Sequence, residues 1–369
     1  MEVAGAFGDL GTLVPFVVAY VSVLKMDAFG VLFAFGLSLV LCGLVYRTPF
    51  PVQPMKAAGA IATTQAAQTV IITPAAVYGA SLVTGLMWLV LGLTGTARHI
   101  AKLVARPVVV GIVLGLGFGF MIEGAKIMSQ QWLVGGPALL VTCLLLTNRT
   151  IPAMFLLLLF GAAYGILSDP ELIEALRRIE AEPRLPSFAL SEVGLNDFLI
   201  GTVFLALPQV PLTLGNAVIA ITEENNRLFP NRPVDENGVA ISTGVMNLLS
   251  ATVGGVPMCH GAGGMAAHVQ FGARTGGATV LLGVVLLATA MFFSGSVGTV
   301  LRLFPTSVLG VILFLTGAQL ALGTCDLSRD KGERFVTMVT GALAVWNVGI
   351  AFVIGMTAYA LNKRGWLQV

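Results

Sequence analysis

The feature that most constrains this chain is a succession of apolar runs, each long enough to cross a bilayer, recurring from Val14 to the C-terminus with few charges inside them. A helical crossing takes about 20 residues at a rise of 1.5 Å each. Lipid offers the backbone no water to pair with, so only helices or a closed barrel can span it. The runs are continuous and do not alternate at every second residue, which selects helices. Composition agrees: the chain is 56% apolar and 10% charged, where a soluble domain carries about a quarter charged residues. The first apolar segment begins within a few residues of Met1, lacks a basic leader and holds Asp9 and Pro15. It therefore reads as a retained first helix and not as a cleaved signal.

The pattern predicts an all-α polytopic membrane protein of about 14 transmembrane spans. Seven lie at 6–24, 29–46, 54–71, 75–95, 104–122, 131–147 and 151–167, and seven at 197–222, 238–254, 258–272, 276–294, 304–323, 334–346 and 348–362. Residues 1–167 form one unit, 168–195 a charged, proline-containing connection, and 196–369 a second unit. With the N-terminus inside, Arg47, Arg98, Lys102, Arg106, Arg149, Arg227, Arg232, Arg274, Arg329, Lys331, Arg334, Lys363 and Arg364 fall in cytoplasmic loops. Lys25, Lys126, Arg177, Arg178, Arg184 and Arg302 fall outside. That asymmetry follows the positive-inside tendency and places both termini in the cytoplasm, with the chain in the inner (plasma) membrane. The basic residues are scattered between spans and form no patch for nucleic acid. Cys42, Cys143, Cys259 and Cys325 are far apart, with no C-x-x-C pair, so neither a disulfide framework nor a metal site is expected. Three of the four read as small core hydrophobes.

The halves resemble each other. GDLGTLVP from Gly8 lies on PQVPLTLG from Pro208, matching Asp9 to Gln209, and VQPMKAAGA from Val52 lies on GVPMCHGAGG from Gly255, matching Pro54 to Pro257. The separations within each half, 45 and 48 residues, agree, and RPVVVGIVLGLG from Arg106 matches FPTSVLGVILFLTG from Phe304. Because seven is odd, the copies have opposite orientations, which is the inverted-repeat plan of many secondary transporters.

Two segments are out of place in lipid: PFPVQPMKAAGA at 49–60 and GGVPMCHGAGGM at 254–265. Proline lacks a donor and disfavours helix in the residue before it, so half-helices are expected to start near Pro54 and Pro257, within the membrane, at spans 3 and 10. Irregular backbone survives at that depth only where it lines a cavity. A helix N-terminus carries about half a positive charge and free N–H groups, a natural anion site. Lys56 adds about one more charge, so two helix ends and one lysine balance a divalent anion. Intramembrane ionisable residues are functional candidates by default. Asp9 is the expected partner of Lys56, and His260 a second candidate ligand. Cys259 reads as packing or a backbone donor, since no base or orienting residue is evident beside it and adjacent helical positions point about 100° apart. His268 and Arg274, near the far end of the short helix, are expected to face a loop. Gln209 and Asn216, seven residues apart, share one face of span 8, as Asp9 and Thr12 share one face of span 1.

These segments resemble the molybdate transporter family, which belongs with the sulfate permease superfamily. The resemblance rests on GAFGDLGTLVPFV at 5–17, PFPVQPMKAAGA at 49–60, ALPQVPLTLGNAVIA at 206–220 and PMCHGAGGMAAHVQFGARTGG at 257–277. It implies a seven-plus-seven fold with core and gate domains and a substrate site between spans 3 and 10. Onto this chain it carries Asp9, Gln53, Pro54, Met55, Lys56, Gln209, Cys259, His260 and Gly261; Thr12, Asn216 and Met258 complete the candidate substrate-binding set. Larger sulfate permeases commonly add a soluble C-terminal regulatory domain. Here the chain stops six residues after Lys363, so such regulation is not expected.

The function expected is secondary active import of molybdate by alternating access. The alternatives are a sulfate or related oxyanion transporter, or a passive anion channel of the same fold. No enzymatic activity, catalytic residue, metal or cofactor is expected. The expected partners are a tetrahedral oxyanion and the lipid bilayer, with a homodimer as the candidate assembly.

Overall fold

The computed structural model describes residues 2–64, 70–97, 99, 105–145, 153–322 and 328–367. Arg98, Lys102, Arg149 and Cys325 lie outside them, as do the predicted span residues at 65–69, 104, 146–147, 151–152 and 323.

In the first half the helices are α1 (Glu2–Ala6), α2 (Leu10–Ser22), α3 (Ala28–Tyr46), α4 (Lys56–Thr64), α5 (Pro74–Leu93), α6 (Arg106–Ser129), α7 (Trp132–Leu145) and α8 (Ala153–Ser168). A short α9 (Glu171–Arg177) follows α8 across a 111° bend. The second half holds α10 (Leu195–Leu228), α11 (Glu236–Thr252), α12 (Ala262–Gln270), α13 (Gly277–Leu301), α14 (Thr306–Leu322), α15 (Lys331–Trp346) and α16 (Val348–Lys363). Among the described residues α3, α5, α6, α10 and α13 are each long and apolar enough to cross a bilayer, and the bent α8–α9 pair is a sixth if taken as one span. Large apolar side chains such as Leu133, Leu144 and Leu167 stand exposed on the outer helices, as they must where lipid is the solvent.

Several helices begin where their sequence supplies a cap. Asp27, Asp235 and Asp330 accept from Phe29, Gly238 and Glu333 N–H at 3.0, 2.6 and 2.7 Å. Thr73 and Asn347 do the same for α5 and α16, with Pro74 at the first turn of α5. The connection between the halves is tied down by Arg184, whose guanidinium grips Asp27 with both Nη atoms, at 3.1 and 2.6 Å. That bond raises the Arg184 pKa above its ordinary value.

The architecture departs from the sequence reading in four places. It is not purely helical: Gln53–Pro54 (β1) and Met258–Cys259 (β2) form a short antiparallel pair, with Gln53 opposite Cys259 and Pro54 opposite Met258. Helices α4 and α12 consequently start at Lys56 and Ala262, later than Pro54 and Pro257, because the prolines belong to the extended segment that pairs. Span 1 is broken into α1 and α2, and Asp9 sits at the break. Among the cysteines, Cys42 and Cys259 are buried but Cys143 is exposed, since the apolar α7 turns outward.

Helix contacts are close where glycine removes side chains. Cβ atoms on Gly117 and Gly317 would each meet the other's carbonyl oxygen, at 2.7 and 2.5 Å, and those on Gly124 and Gly310 likewise at 2.6 and 2.8 Å. Thus α6 and α14 cross backbone to backbone. The other extensive packings are α5 on α11, α3 on α13, α6 on α15 and α15 on α16.

Candidate functional site: two helix starts at an antiparallel crossing

The prolines at 51 and 54 hold the chain extended up to Met55, and after the turn at Gly254 (φ +76°) the Gly255-Val256-Pro257 segment leads into β2. The two extended pieces meet inside the protein. Met55 N–H donates to Pro257 O at 2.9 Å, and the neighbouring α11 clamps the other strand: Asn247 accepts from Met258 N–H at 2.8 Å and donates to Met258 O at 2.6 Å. Satisfied in this way, irregular backbone can sit in the apolar core. From the crossing α4 and α12 lead away in turn, so both begin beside the same buried point.

Their N-termini differ. Ala57 and Ala58 N–H of α4 donate to Gln209 Oε1 at 2.7 and 3.2 Å, and Gln209 Nε2 donates to Thr213 at 2.9 Å. The side chain of α10 therefore caps α4. At α12 the cap position is Gly261, which has no side chain to offer. The Ala262 and Gly263 N–H groups have no acceptor among the described residues. Gly263 is exposed, and a Cβ built on it would meet nothing within 4 Å. Space and free donors thus coincide at one helix start. Asn216 Nδ2 lies close by, 3.6 Å from where a Gly261 Cβ would stand, and the same Cβ would collide with Gln53 Oε1.

Gln53 and Asp9 form the acidic side. The Gln53 amide donates to both Asp9 carboxylate oxygens, at 2.7 and 2.8 Å, while Gln53 Oε1 is buried with no partner. Gly264 makes room for them: a Cβ there would stand 2.5 Å from Gln53 Nε2 and 2.7 Å from Asp9 Oδ2. The Lys56 side chain is partly accessible, and its ammonium makes no hydrogen bond or ion pair with a described residue. It lies within electrostatic reach of both Asp9 and Cys259.

A family model described as "Molybdate transporter of MFS superfamily" matches residues 1–120 and 201–320. The chain belongs to the molybdate transporter family. It is similar to Molybdate transporter 1 of Arabidopsis thaliana, at 29% identity over 98% of this chain and 87% of that protein. Its fold is like that of solved SulP/SLC26 transporters. The transmembrane domain of the cyanobacterial bicarbonate transporter BicA superposes with a TM-score of 0.66 at 15% identity, covering 97% of this chain and 96% of that one. The murine Solute Carrier 26 family member A9 anion transporter, in the inward-facing state, gives 0.70 at 14% identity, covering 100% and 69%.

The structure brings the expected site residues of this family member to one place, in roles that differ from one another. Gln53, Pro54, Met258 and Cys259 form the crossing; Asp9, Lys56, Gln209, Asn216, His260 and Gly261 surround it, with Met55 beside it, where Thr213 Oγ1 approaches its sulfur at 4.0 Å. Thr12 faces Asp9. Asp9 is bonded to Gln53 and not to Lys56, since β1 aims Gln53 at the break between α1 and α2. His260 has both ring nitrogens occupied. Nδ1 lies 2.8 Å from Pro51 O and, as a carbonyl only accepts, must carry the proton, leaving Nε2 to Ser242 Oγ at 2.7 Å. Edge-on contacts with Phe50 and Tyr46 complete its cage. His268 does not face a loop: it is fully buried and its Nδ1 donates to Gly5 O at 2.7 Å, because α1 folds over α12. Arg274 is exposed.

The sequence reading passed over Thr213, Ser242 and Asn247. A signal existed for Asn247: Thr243, Asn247 and Ser250 recur at helical spacing in an apolar span, and each is buried and hydrogen-bonded.

Proposed function

We propose that this protein imports molybdate by alternating access, binding the dianion at the start of α12 with Lys56 as its counter-charge. The observation that carries this reading is the coincidence, at one buried crossing, of an uncapped helix N-terminus opening on free space and a lysine with no ion pair to a carboxylate among the described residues. Both favour an anion, and together they supply donors without a permanent acceptor. Gln209 saturates the opposite helix start, so α4 contributes its dipole while α12 contributes its N–H groups. His260 acts from behind, holding the Pro51 segment against α11, and so positions the strand that presents Gln53.

Asp9 offsets part of the positive charge through Gln53. With Lys56 at about +1 and two helix ends at about +0.5 each, a dianion is balanced in full only when Asp9 is neutral. Proton uptake by Asp9 on binding is therefore the coupling this site favours.

The seven-plus-seven inverted repeat of residues 1–167 and 196–369, joined by 168–195, is the frame for alternating access. It is supported by the position of helices at each of the fourteen expected spans, by family matches of equal length starting at residues 1 and 201, and by the packing. Exchange of halves turns the α5–α11 pair into the α13–α3 pair and returns α6–α14 and β1–β2 to themselves, while the close α6–α15 packing has a looser counterpart in α14–α7. An apolar cavity of about 330 Å³, lined by Ile61, Phe204, Pro208, Asn347 and Val348, separates α4 and α10 from the α15–α16 junction and gives those bodies room to shift. Both termini lie in the cytoplasm in this reading.

Purified protein in liposomes, loaded without molybdate and supplied with it outside, tests the proposal. Accumulation above the external concentration, suppressed little by equimolar sulfate, is expected. Equilibration without accumulation would instead identify a channel, and full competition would identify a general sulfate-class carrier.

A further inference from the structure

A second basic site lies away from the crossing, where α3 and α10 end and α12 leads into α13. Here a cavity of about 230 Å³ is lined by Arg47, Arg232 and Arg274, with Thr275, Phe229 and Pro230 among its other walls. None of the three guanidinium groups forms an ion pair with a described carboxylate. Arg232 Nη1 donates to Arg47 O at 3.2 Å, so these two are held in mutual register in spite of their like charge. Arg47 adopts φ +56°, an uncommon conformation for a side chain of its kind. Glu2 Oε1 accepts from the backbone N–H of Arg274 and Thr275 at 2.8 and 3.1 Å, so this carboxylate bonds the backbone and not a guanidinium. The cavity is not the mouth of the crossing. Phe50, Ile221, Val239 and Met265 form an apolar cluster between them, on which Leu228 and Phe229 also pack.

Three forked, permanently charged donors around a space smaller than the roughly 300–1,000 Å³ of drug-sized ligand sites match a small tetrahedral oxyanion, since guanidinium binds phosphate bidentately. We infer that this cavity binds the phosphate group of an anionic phospholipid at the membrane face. The apolar wall of Phe229 and Pro230, at the end of a spanning helix, suits a headgroup whose acyl chains remain in the bilayer better than a free ion. Basic pockets between spanning helices on the cytoplasmic side are built for such headgroups. Bound there, the phosphate would link the ends of α3 and α10 to the loop after α12, and so join elements from both halves.

Thermal unfolding of the full chain in detergent tests this, with soluble dihexanoyl-phosphatidylglycerol, the matched phosphatidylcholine and inorganic phosphate as probes. A stabilising shift with phosphatidylglycerol, absent with phosphatidylcholine, is expected. It should be lost in the Arg232→Gln, Arg274→Gln double variant, each replacement weakening binding roughly tenfold, while the stabilisation by molybdate persists. Equal shifts with both lipids, or an undiminished shift in the double variant, would overturn the site. A shift with inorganic phosphate alone would overturn its assignment to lipid. Should the double variant not fold, hydrogen exchange on the wild type decides: phosphatidylglycerol must protect residues 228–232 and 272–276, and no protection there would refute the inference.

Discussion

Gln209 tests whether the crossing is assembled as described, because its amide links span 8 to the start of span 3 and can be replaced by residues of nearly its size. Gln209→Met removes the acceptor of the Ala57 and Ala58 N–H groups and leaves them buried. Loss of a helix cap costs about 0.5–2 kcal/mol, and an orphaned buried donor about 1–3 kcal/mol. The variant should therefore be destabilised by about 2 kcal/mol or more, visible as a lowered midpoint in thermal unfolding. Gln209→Glu keeps both acceptor bonds and places its charge at a helix N-terminus, where it is favoured, so the fold should hold. Binding should not. Even at about 10 Å, a carboxylate opposes a unit negative charge by about 1.7 kcal/mol at an effective dielectric of 20, which exceeds tenfold in affinity. Calorimetric titration with molybdate reads the second effect. A Glu variant binding as tightly as wild type would place the anion elsewhere, and a Met variant of unchanged stability would remove Gln209 from its capping role.

Gly264→Ala would put a methyl group against the Asp9–Gln53 pair. Overpacking of this kind costs about 1–3 kcal/mol, so a lowered unfolding midpoint with impaired uptake is expected, and unaltered uptake would show that the pair is not needed. Asp9→Asn should reduce concentrative uptake more than it reduces equilibrium binding, since it removes a proton acceptor without removing anion donors. Accumulation with unchanged pH dependence in proteoliposomes would make Asp9 structural.

Local chemistry made the extended segments legible: prolines at 51, 54 and 257 beside glycine mark backbone that is not yet helical, and helices begin only at Lys56 and Ala262. The pairing of those segments was not legible, because β1 and β2 are some 200 residues apart and each is two residues long. Spacing placed Gln209 and Asn216 on one face. The turns of α10 widen to π-helical over Gly201–Ala206 and Thr213–Ala220, so Gln209 caps α4 while Asn216 lies beside Gly261 at the start of α12. Charge suggested an Asp9–Lys56 pair, which the backbone prevents: Gln53 in β1 reaches the carboxylate, and Lys56 is already the first residue of a helix. His268 seemed destined for a loop because nothing local to it announces that α1 folds over α12 through Gly5 and Gly8.

Molybdate binding by Lys56→Gln tests the anion site at the crossing most directly. Lys56 makes no ion pair with a described residue, so its removal should leave the unfolding midpoint near that of wild type while removing the anion's charged partner. Breaking such a desolvated, hydrogen-bonded pair costs about 2–5 kcal/mol, roughly 30-fold to several-thousand-fold in affinity. Titration calorimetry on folded Lys56→Gln protein should show that loss, and it should persist in the double variant with Asp9→Asn. Wild-type affinity in the single variant, or its rescue in the double, would contradict the assignment of the crossing as the anion site.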